Sequence, residues 1–431
     1  MLVLSPKEPL LSEITIEKQH QARLKKNIKD IFPLKGDCDV DLFNEFIEKK
    51  LNVCNSSNIA NFMRIAGNKS KTSNSVELLR KSLPVIALRL DELSESSWLV
   101  SHITNIFFGL QYYTEYENGV TDIIFIMTKL LDKTVKLGDT IPFEYIPNIF
   151  HGLQKNKYQS EESKKFLTVI TRIIGDGKGS VTATEIGNTF INFHQLNSDV
   201  IEVQGLLSVM TERIKCCNEP FESRNVSNTL CGLKGMKSNN INVLALISAL
   251  KEKILLGKNG IRSNEIGFAL YGLQRMSSDS QEVRELLSAL TLKLQISQTV
   301  FQPQAISNAL YGLQGMSSDC AEVRALLSVL TSRIESCMEP LTAQQMCDAV
   351  YGLKGMNSDS VEVHTLLSVL VRMVQRCTEI PNSVQASNAM FGLQGLDSSH
   401  IDVISIRQYL QQQTYNNIQI TDHTENINPV N

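Results

Sequence analysis

Apolar residues recur at helical spacing along most of the chain, and the pattern itself repeats. In one representative segment Ile306, Leu310 and Leu313 follow one another at i, i+4 and i+7, which is a single face of an α-helix. The polar turn GMSSD follows, and a second apolar stripe then runs from Val323 to Ile334. Because the alternation of period two that marks strands is absent, the pattern predicts pairs of helices.

The register of the repeat is fixed by one polar position, which is followed four residues later by a glycine position. The polar position holds Asn105, Asn148, Asn188, Asn228, Phe268, Asn308, Asp348 and Asn388, with steps of 40 residues from Asn148 onward. A single helix pair of this size cannot bury its apolar face, whereas stacked pairs share a continuous core. The sequence therefore predicts an all-α fold, a right-handed α-solenoid of about eight or nine tandem helix-turn-helix repeats of ~40 residues each.

The regularity of the repeats changes along the chain and suggests four regions. These are an irregular helical N-terminal region (1–50), degenerate helical repeats (51–180), regular 40-residue repeats with a C-terminal cap (181–410) and a polar tail that we expect to be disordered (411–431). The cap is inferred from Arg407 and Gln408, which stand where the preceding repeat has Leu367 and Ser368. A polar outer face is what the last repeat of such an array needs.

Within each repeat, three local features carry structural predictions. Pro303 suits the first turn of a helix, where its missing N–H costs nothing. Ser318 or Asp319 can cap the second helix with a side-chain oxygen. Glycine inside a helix costs about 1 kcal/mol relative to alanine, so its return in every first helix predicts that another helix approaches closely there.

Composition and motifs exclude several classes of protein. No apolar run is long enough for a membrane span, and the N-terminus resembles neither a secretory signal nor an Arg-rich transit peptide. The nine cysteines form no CxxC pair, and three of them share one repeat position with glycine and serine, which indicates a small-residue packing position in a reducing compartment. The residues at this repeat position are Gly177, Cys217, Gly257, Ser297, Cys337 and Cys377. No catalytic motif is present and GDGKGS lacks the spacing of a phosphate loop, so we expect no enzyme activity, cofactor, metal or small-molecule substrate. A cytoplasmic location is expected, with delivery to an organelle or a host cell left open.

One recurring row of polar and aromatic residues on the first helices lies outside the apolar stripe that forms the core. At ~100° per residue, Asn308 and Tyr311 lie together and away from the apolar stripe. The candidate binding residues that follow from this row are Asn188, Asn228, Asn308, Asp348, Asn388, Tyr271, Tyr311, Tyr351 and Phe391. On the concave surface of a solenoid, such a row suits nucleic-acid bases or an extended peptide. The alternative is a structural ladder in which each asparagine bonds its neighbour or a helix backbone, an arrangement that Phe268 and Asp348 within the row disfavour.

The segment FQPQAISNALYGLQGM (301–316) resembles the first helix of octotricopeptide repeats. The shared core is Asn-x-x-aromatic-small-Leu, here Asn308, Tyr311, Gly312 and Leu313, and the resemblance extends over residues 100–410. It implies single-stranded RNA binding, with the inner helices contacting successive bases. By this resemblance the base-contacting residues would be Asn228, Asn308, Asp348 and Asn388, and the stacking residues Tyr271, Tyr311, Tyr351 and Phe391.

The balance of charged residues supports a second interpretation, in which the partner is a protein. The chain has a formal net charge of −3, and residues 181–400 hold about 17 Lys and Arg against about 20 Asp and Glu. RNA affinity depends on several cationic contacts to phosphates. A near-neutral repeat surface favours the alternative, in which the same groove binds an extended peptide or a partner protein and the chain acts as a protein–protein interaction scaffold.

Overall fold

The computed structural model describes residues 18–19, 22–26, 28, 30–31, 39–69, 73–93, 98–136 and 141–411. The chain forms two compact units, Met1–Gly179 and Ser180–Asn431. In the described ranges every regular element is a helix and no strand occurs. The polar tail predicted after residue 411, and most of the predicted N-terminal region before residue 39, lie outside the described residues.

In the first unit, the described residues before residue 39 are helical, and seven further α-helices follow between residues 39 and 179. They are α1 (Val40–Glu45), α2 (Ser56–Lys69), α3 (Ser73–Glu92), α4 (Val100–Gly109), α5 (Val120–Lys136), α6 (Ile146–Gly152) and α7 (Glu161–Asp176). A π-helical turn, Phe46–Lys50, and the short 3-10 helices Leu51–Val53 and Phe143–Tyr145 supplement them. Helix α2 packs on α4 and α4 on α6, while α3 packs on α5 and α5 on α7. Alternate helices therefore form two layers.

The second unit repeats this arrangement more regularly. Its helices are α8 (Ala183–Phe190), α9 (Ile201–Cys216), α10 (Ser223–Cys231), α11 (Ile241–Leu256), α12 (Ser263–Tyr271), α13 (Gln281–Ile296), α14 (Pro303–Tyr311), α15 (Ala321–Glu335), α16 (Ala343–Tyr351), α17 (Val361–Arg376), α18 (Ser383–Gly392) and α19 (401–411). The even-numbered helices α8 to α18 pack side by side in sequence order and form the first-helix layer. The odd-numbered helices α9 to α17 pack in the same way in the second-helix layer. Sequential packing of tandem helix pairs confirms the predicted α-solenoid.

The predicted apolar stripes form the core of the second unit. Ile306, Leu310 and Leu313 of the first stripe are fully buried, and so are Val323 and Ile334 at the two ends of the second stripe. Pro303 occupies the first turn of α14, as predicted. The periodicity of the sequence thus identified both the helices and the faces that they bury.

Close approach between first helices explains the recurring glycine. A Cβ added at Gly312 would lie only 2.0 Å from the carbonyl oxygen of Leu270, and one at Gly352 would lie 1.9 Å from that of Leu310. In both cases the neighbour is backbone of the preceding first helix, which no side-chain rotation can move away. The predicted close contact between helices is therefore confirmed.

The predicted cap of the second helix is wrong, and the serine concerned has another role. Helix α15 begins after Cys320, which makes no side-chain capping bond. The Ser318 hydroxyl instead accepts a hydrogen bond of 3.0 Å from the backbone N–H of Asn357, 39 residues later. Ser198, Ser238, Ser278 and Ser358 accept equivalent bonds from the next repeat. This serine therefore links consecutive repeats, because the turn of one repeat lies against the turn of the next.

The small-residue position lies at the C-terminal ends of the second helices. Cys217, Gly257 and Ser297 are the C-cap residues of α9, α11 and α13. A basic side chain of the following second helix donates to the carbonyl of this residue, as Arg333 does to Ser297 at 2.5 Å. Lys253, Lys293 and Arg376 donate in the same way to Cys217, Gly257 and Cys337. A cation at this place satisfies a terminal carbonyl and suits the negative end of the helix dipole.

Candidate functional site

The row of candidate binding residues lies on the accessible side of the first-helix layer. Asn308 and Tyr311 are both partly exposed on α14, whereas Ile306 and Leu310 of the same helix are buried. Every member of the row is at least partly exposed to solvent. The exposed members are Asn188, Asn388 and Phe391, and the half-buried ones are Asn228, Asn308, Asp348, Tyr271, Tyr311 and Tyr351. Because the first helices pack side by side in sequence order, equivalent residues fall next to one another across the layer.

Between α14, α16 and α18, side-chain hydrogen bonds from one first helix to the next run through glutamines rather than through the row itself. Within its own helix, Gln304 Nε2 donates to Asn308 Oδ1 at 2.9 Å, and Gln344 Nε2 donates to Asp348 Oδ1 at 2.7 Å. The links between helices run from Gln345 to Gln304, at 3.1 Å, and from Gln385 to Gln344, at 2.7 Å. The direct asparagine ladder that we considered as an alternative is therefore not formed. Neither Gln344 nor Gln385 was named as a candidate from the sequence, although each lies 40 residues after another glutamine of these contacts, Gln304 and Gln345.

Three asparagines of the row have side-chain amides that make no hydrogen bond within the described residues. Within the described ranges, no hydrogen bond reaches the side-chain amide of Asn188, Asn228 or Asn388. An amide offers two N–H donors and a carbonyl acceptor, which is the complement of a peptide backbone or of a base edge. These three side chains are consequently available to a partner.

The tyrosines of the row form a continuous stack. The ring centroids of Tyr271 and Tyr311 are 5.6 Å apart, and those of Tyr311 and Tyr351 are 5.5 Å apart, with small interplanar angles. The ammonium of Lys234 lies 5.9 Å from the Tyr271 centroid. Offset stacking of this kind is favourable for aromatic pairs. Both faces of the Tyr311 ring are therefore covered by neighbouring tyrosines, and Phe391 does not continue the stack within the described residues.

A pocket of about 450 Å³ opens where the tyrosine stack ends. It lies among α14, α16 and α18 and brings together four of the nine candidate residues. Its lining consists of Tyr311, Gln344, Cys347, Asp348, Tyr351, Asn382, Ser383, Val384, Gln385 and Asn388. A concave site with a few convergent polar groups is the usual form of a ligand site. The structure thus gathers the C-terminal end of the row into one site, whereas Asn188, Asn228, Asn308, Tyr271 and Phe391 lie outside it.

The carboxylate of Asp348 has an unusual electrostatic environment. Burial raises the pKa of this carboxyl above its ordinary value, and the hydrogen bond from Gln344 offsets part of that increase. No Lys, Arg or His of the described residues pairs with it. Burial also raises the pKa of the neighbouring Tyr311 hydroxyl. The site therefore combines an unneutralised acid with aromatic rings and neutral amides.

The described residues offer neither a metal site nor a membrane-spanning helix. In the part of the chain that the structure describes, no three His, Cys, Asp or Glu side chains converge in a way that could hold a metal ion. Among these same residues, no helix has the combination of length and apolar character that crossing a bilayer requires.

Comparisons with known proteins identify no relative. No family model matches the chain, and no curated protein matches its sequence. Among solved structures the chain is similar to the crystal structure of SYS-1 at 2.6 Å resolution, with 11% identity and a TM-score of 0.20 over 93% of this chain and 75% of that one. At this TM-score the likeness tells nothing about the binding face. What its own architecture shows is that the chain is a helical-repeat protein.

Proposed function

We propose that this chain is a non-enzymatic binding protein that holds an extended polypeptide against the first-helix layer of its second unit. The observation that carries this proposal is the set of open amides at Asn188, Asn228 and Asn388. They lie at equivalent positions of the first helices, Asn188 and Asn228 on the neighbouring α8 and α10 and Asn388 on α18, and each can both donate to and accept from a peptide backbone. Side chains of the bound polypeptide would then contact Tyr271, Tyr311 and Tyr351, which lie between Asn228 and Asn388 in the row.

The tyrosine stack supports a polypeptide more than RNA. Sequence-tolerant RNA binding uses the open faces of aromatic rings, on which successive bases stack. Tyr271, Tyr311 and Tyr351 already cover one another at 5.5 to 5.6 Å, so the middle ring has no face left for a base. Asp348 adds a negative charge beside them, which would repel a phosphate backbone.

Single-stranded RNA, implied by the octotricopeptide resemblance, is the second candidate. Phe268 and Phe391 are exposed and have no stacked ring within the described residues. Arg224, Arg275 and Lys354 make no ion pair with any described carboxylate. These rings and cations would suit bases and phosphates.

Parallel binding measurements distinguish the two candidates. Random twelve-residue peptides displayed on phage would be selected on the full chain, and the enriched peptides measured by fluorescence anisotropy beside a random single-stranded RNA pool at low and moderate salt. Peptide binding that weakens in an Asn228→Ala/Asn388→Ala variant would support the proposal. The control is Ser328→Ala, at an exposed position of the second-helix layer. Salt-sensitive RNA binding without any enriched peptide would overturn it.

A further inference from the structure

The pocket at the end of the tyrosine stack differs from the rest of the row in its charge. Asp348 stands where the other repeats of the second unit have Asn188, Asn228, Phe268, Asn308 and Asn388. The substitution places a carboxylate in the wall of the pocket, which Gln344 and Asn388 also line. One repeat therefore presents an acid in a row of candidate residues that is otherwise made of neutral amides and aromatic rings.

This carboxylate is incompletely satisfied. It is half-buried and accepts one hydrogen bond, at 2.7 Å from Gln344, with no cation of the described residues in ion-pair contact. Partly buried charges in folded proteins are normally paired, because burial removes water without replacing its charge–dipole interactions. A hydrogen-bond donor that carries positive charge would complete this environment.

The Tyr351 ring supplies the second half of the site. Tyr311 stacks on one of its faces at 5.5 Å, and no other ring of the described residues stacks on the opposite face. Residues three apart on a helix are neighbours on its surface, so the Asp348 carboxylate and the Tyr351 ring border the same space. The π-face of a tyrosine attracts a cation, and it does so more strongly when water is excluded.

We infer that this pocket binds the guanidinium of an arginine in the polypeptide held by the first-helix layer, an inference that rests on the proposed function. The guanidinium would donate to the Asp348 carboxylate and stack flat on the free side of the Tyr351 ring. Arginine fits better than lysine because its planar fork can satisfy both carboxylate oxygens while lying on an aromatic face. The amide of Asn388, on the opposite wall of the pocket, can accept a further N–H from the same group.

Equivalent positions in other repeats lack this combination. Asn308 carries no charge, and the adjacent Tyr311 ring has a tyrosine on each side. The inferred arginine site is therefore confined to one repeat, and it would fix the register in which the polypeptide lies along the layer.

The test is a double-mutant cycle on a peptide selected with the full chain. Affinities would be measured for an arginine-containing peptide and for the same peptide with citrulline in place of arginine, which keeps the shape and removes the charge. Each would be measured against wild type, Asp348→Asn and Asp359→Asn. Asp359 is an exposed carboxylate in the turn after α16, so its removal makes the same change in net charge. Asparagine is native to the equivalent position in other repeats, so Asp348→Asn is expected to fold normally.

We expect Asp348→Asn to lower the affinity for the arginine peptide about tenfold to a hundredfold, which is the range for a hydrogen bond to a charged group. The affinity for the citrulline peptide should not change. Asp359→Asn should stay within about twofold of wild type for both peptides, because exposed charges at a distance are screened. Peptides that bind equally well to wild type and Asp348→Asn, or an equal loss for both peptides, would overturn the arginine inference and leave the proposed function standing. If no peptide is enriched at all, the proposed function and the inference fail together.

Discussion

Replacement of Gly312 by alanine tests whether the close contact between first helices determines the stability of the array. The added Cβ would lie 2.0 Å from the carbonyl oxygen of Leu270 and 2.3 Å from its carbonyl carbon. A carbon and a carbonyl oxygen in contact are normally about 3.3 Å apart, so α12 and α14 must separate by roughly 1.3 Å. Both sides of this contact are backbone, so the cost falls at the upper end of the range for overpacking, about 3 kcal/mol. Gly312 is the C-cap residue of α14 with φ −64° and ψ −18°, a conformation open to alanine, so the substitution regains up to about 1 kcal/mol by restricting the unfolded chain.

The net expectation is a loss of about 2 kcal/mol in local stability. Hydrogen–deuterium exchange followed by mass spectrometry measures this stability element by element and so locates the loss at the contact between α12 and α14. Amides of α12 and α14 should exchange about 30-fold faster in Gly312→Ala than in wild type.

The matched control is Gly187→Ala, in the first helix α8. A Cβ there would lie 3.4 Å from Asn225 Cα and 3.5 Å from Asn228 Cβ, which is ordinary contact. This variant should therefore be neutral or more stable by up to about 1 kcal/mol. Unchanged exchange in α12 and α14 of Gly312→Ala would refute the argument that backbone contact requires the glycine.

Three further predictions concern the serine link, the tyrosine stack and the buried carboxylate. Ser318→Ala should cost about 1–2 kcal/mol in urea unfolding, because the backbone N–H of Asn357 loses its acceptor; a cost near zero would show that water replaces the hydroxyl. Tyr311→Leu removes two ring pairs and Tyr351→Leu only one, so at about 0.5–1.5 kcal/mol per pair the former should lose about twice as much. Equal losses in urea unfolding would contradict a pairwise stack. Burial raises the folded-state pKa of Asp348, so its contribution to stability is present below the unfolded pKa and is lost as the pH rises through the folded pKa. Asp348→Asn should thus unfold at higher urea than wild type at about pH 7 and lose this advantage at about pH 3, and the opposite order would contradict the pKa direction.

The sequence by itself determined the helices, their pairing and their buried faces. Repetition every 40 residues fixed the register, and 3.6-residue periodicity within each repeat identified residues such as Leu310 and Val323 as core. The recurring glycine also revealed the close approach of neighbouring helices, because its cost in a helix needs a reason that only packing supplies. These features are local in sequence or repeat at fixed intervals, and each can be recognised one repeat at a time.

The tertiary structure decided which side chains meet across repeats. Periodicity places Tyr311 and Asp348 on the same face of the first-helix layer, but it does not give the distance or the angle between helices. At the observed spacing the tyrosines stack on one another, and Gln344 and Gln385 join neighbouring helices. Ser318 likewise bonds the next turn instead of its own helix. The pocket beside Tyr351 forms only because the stack ends there, which depends on the relative positions of three helices rather than on the spacing of residues within one.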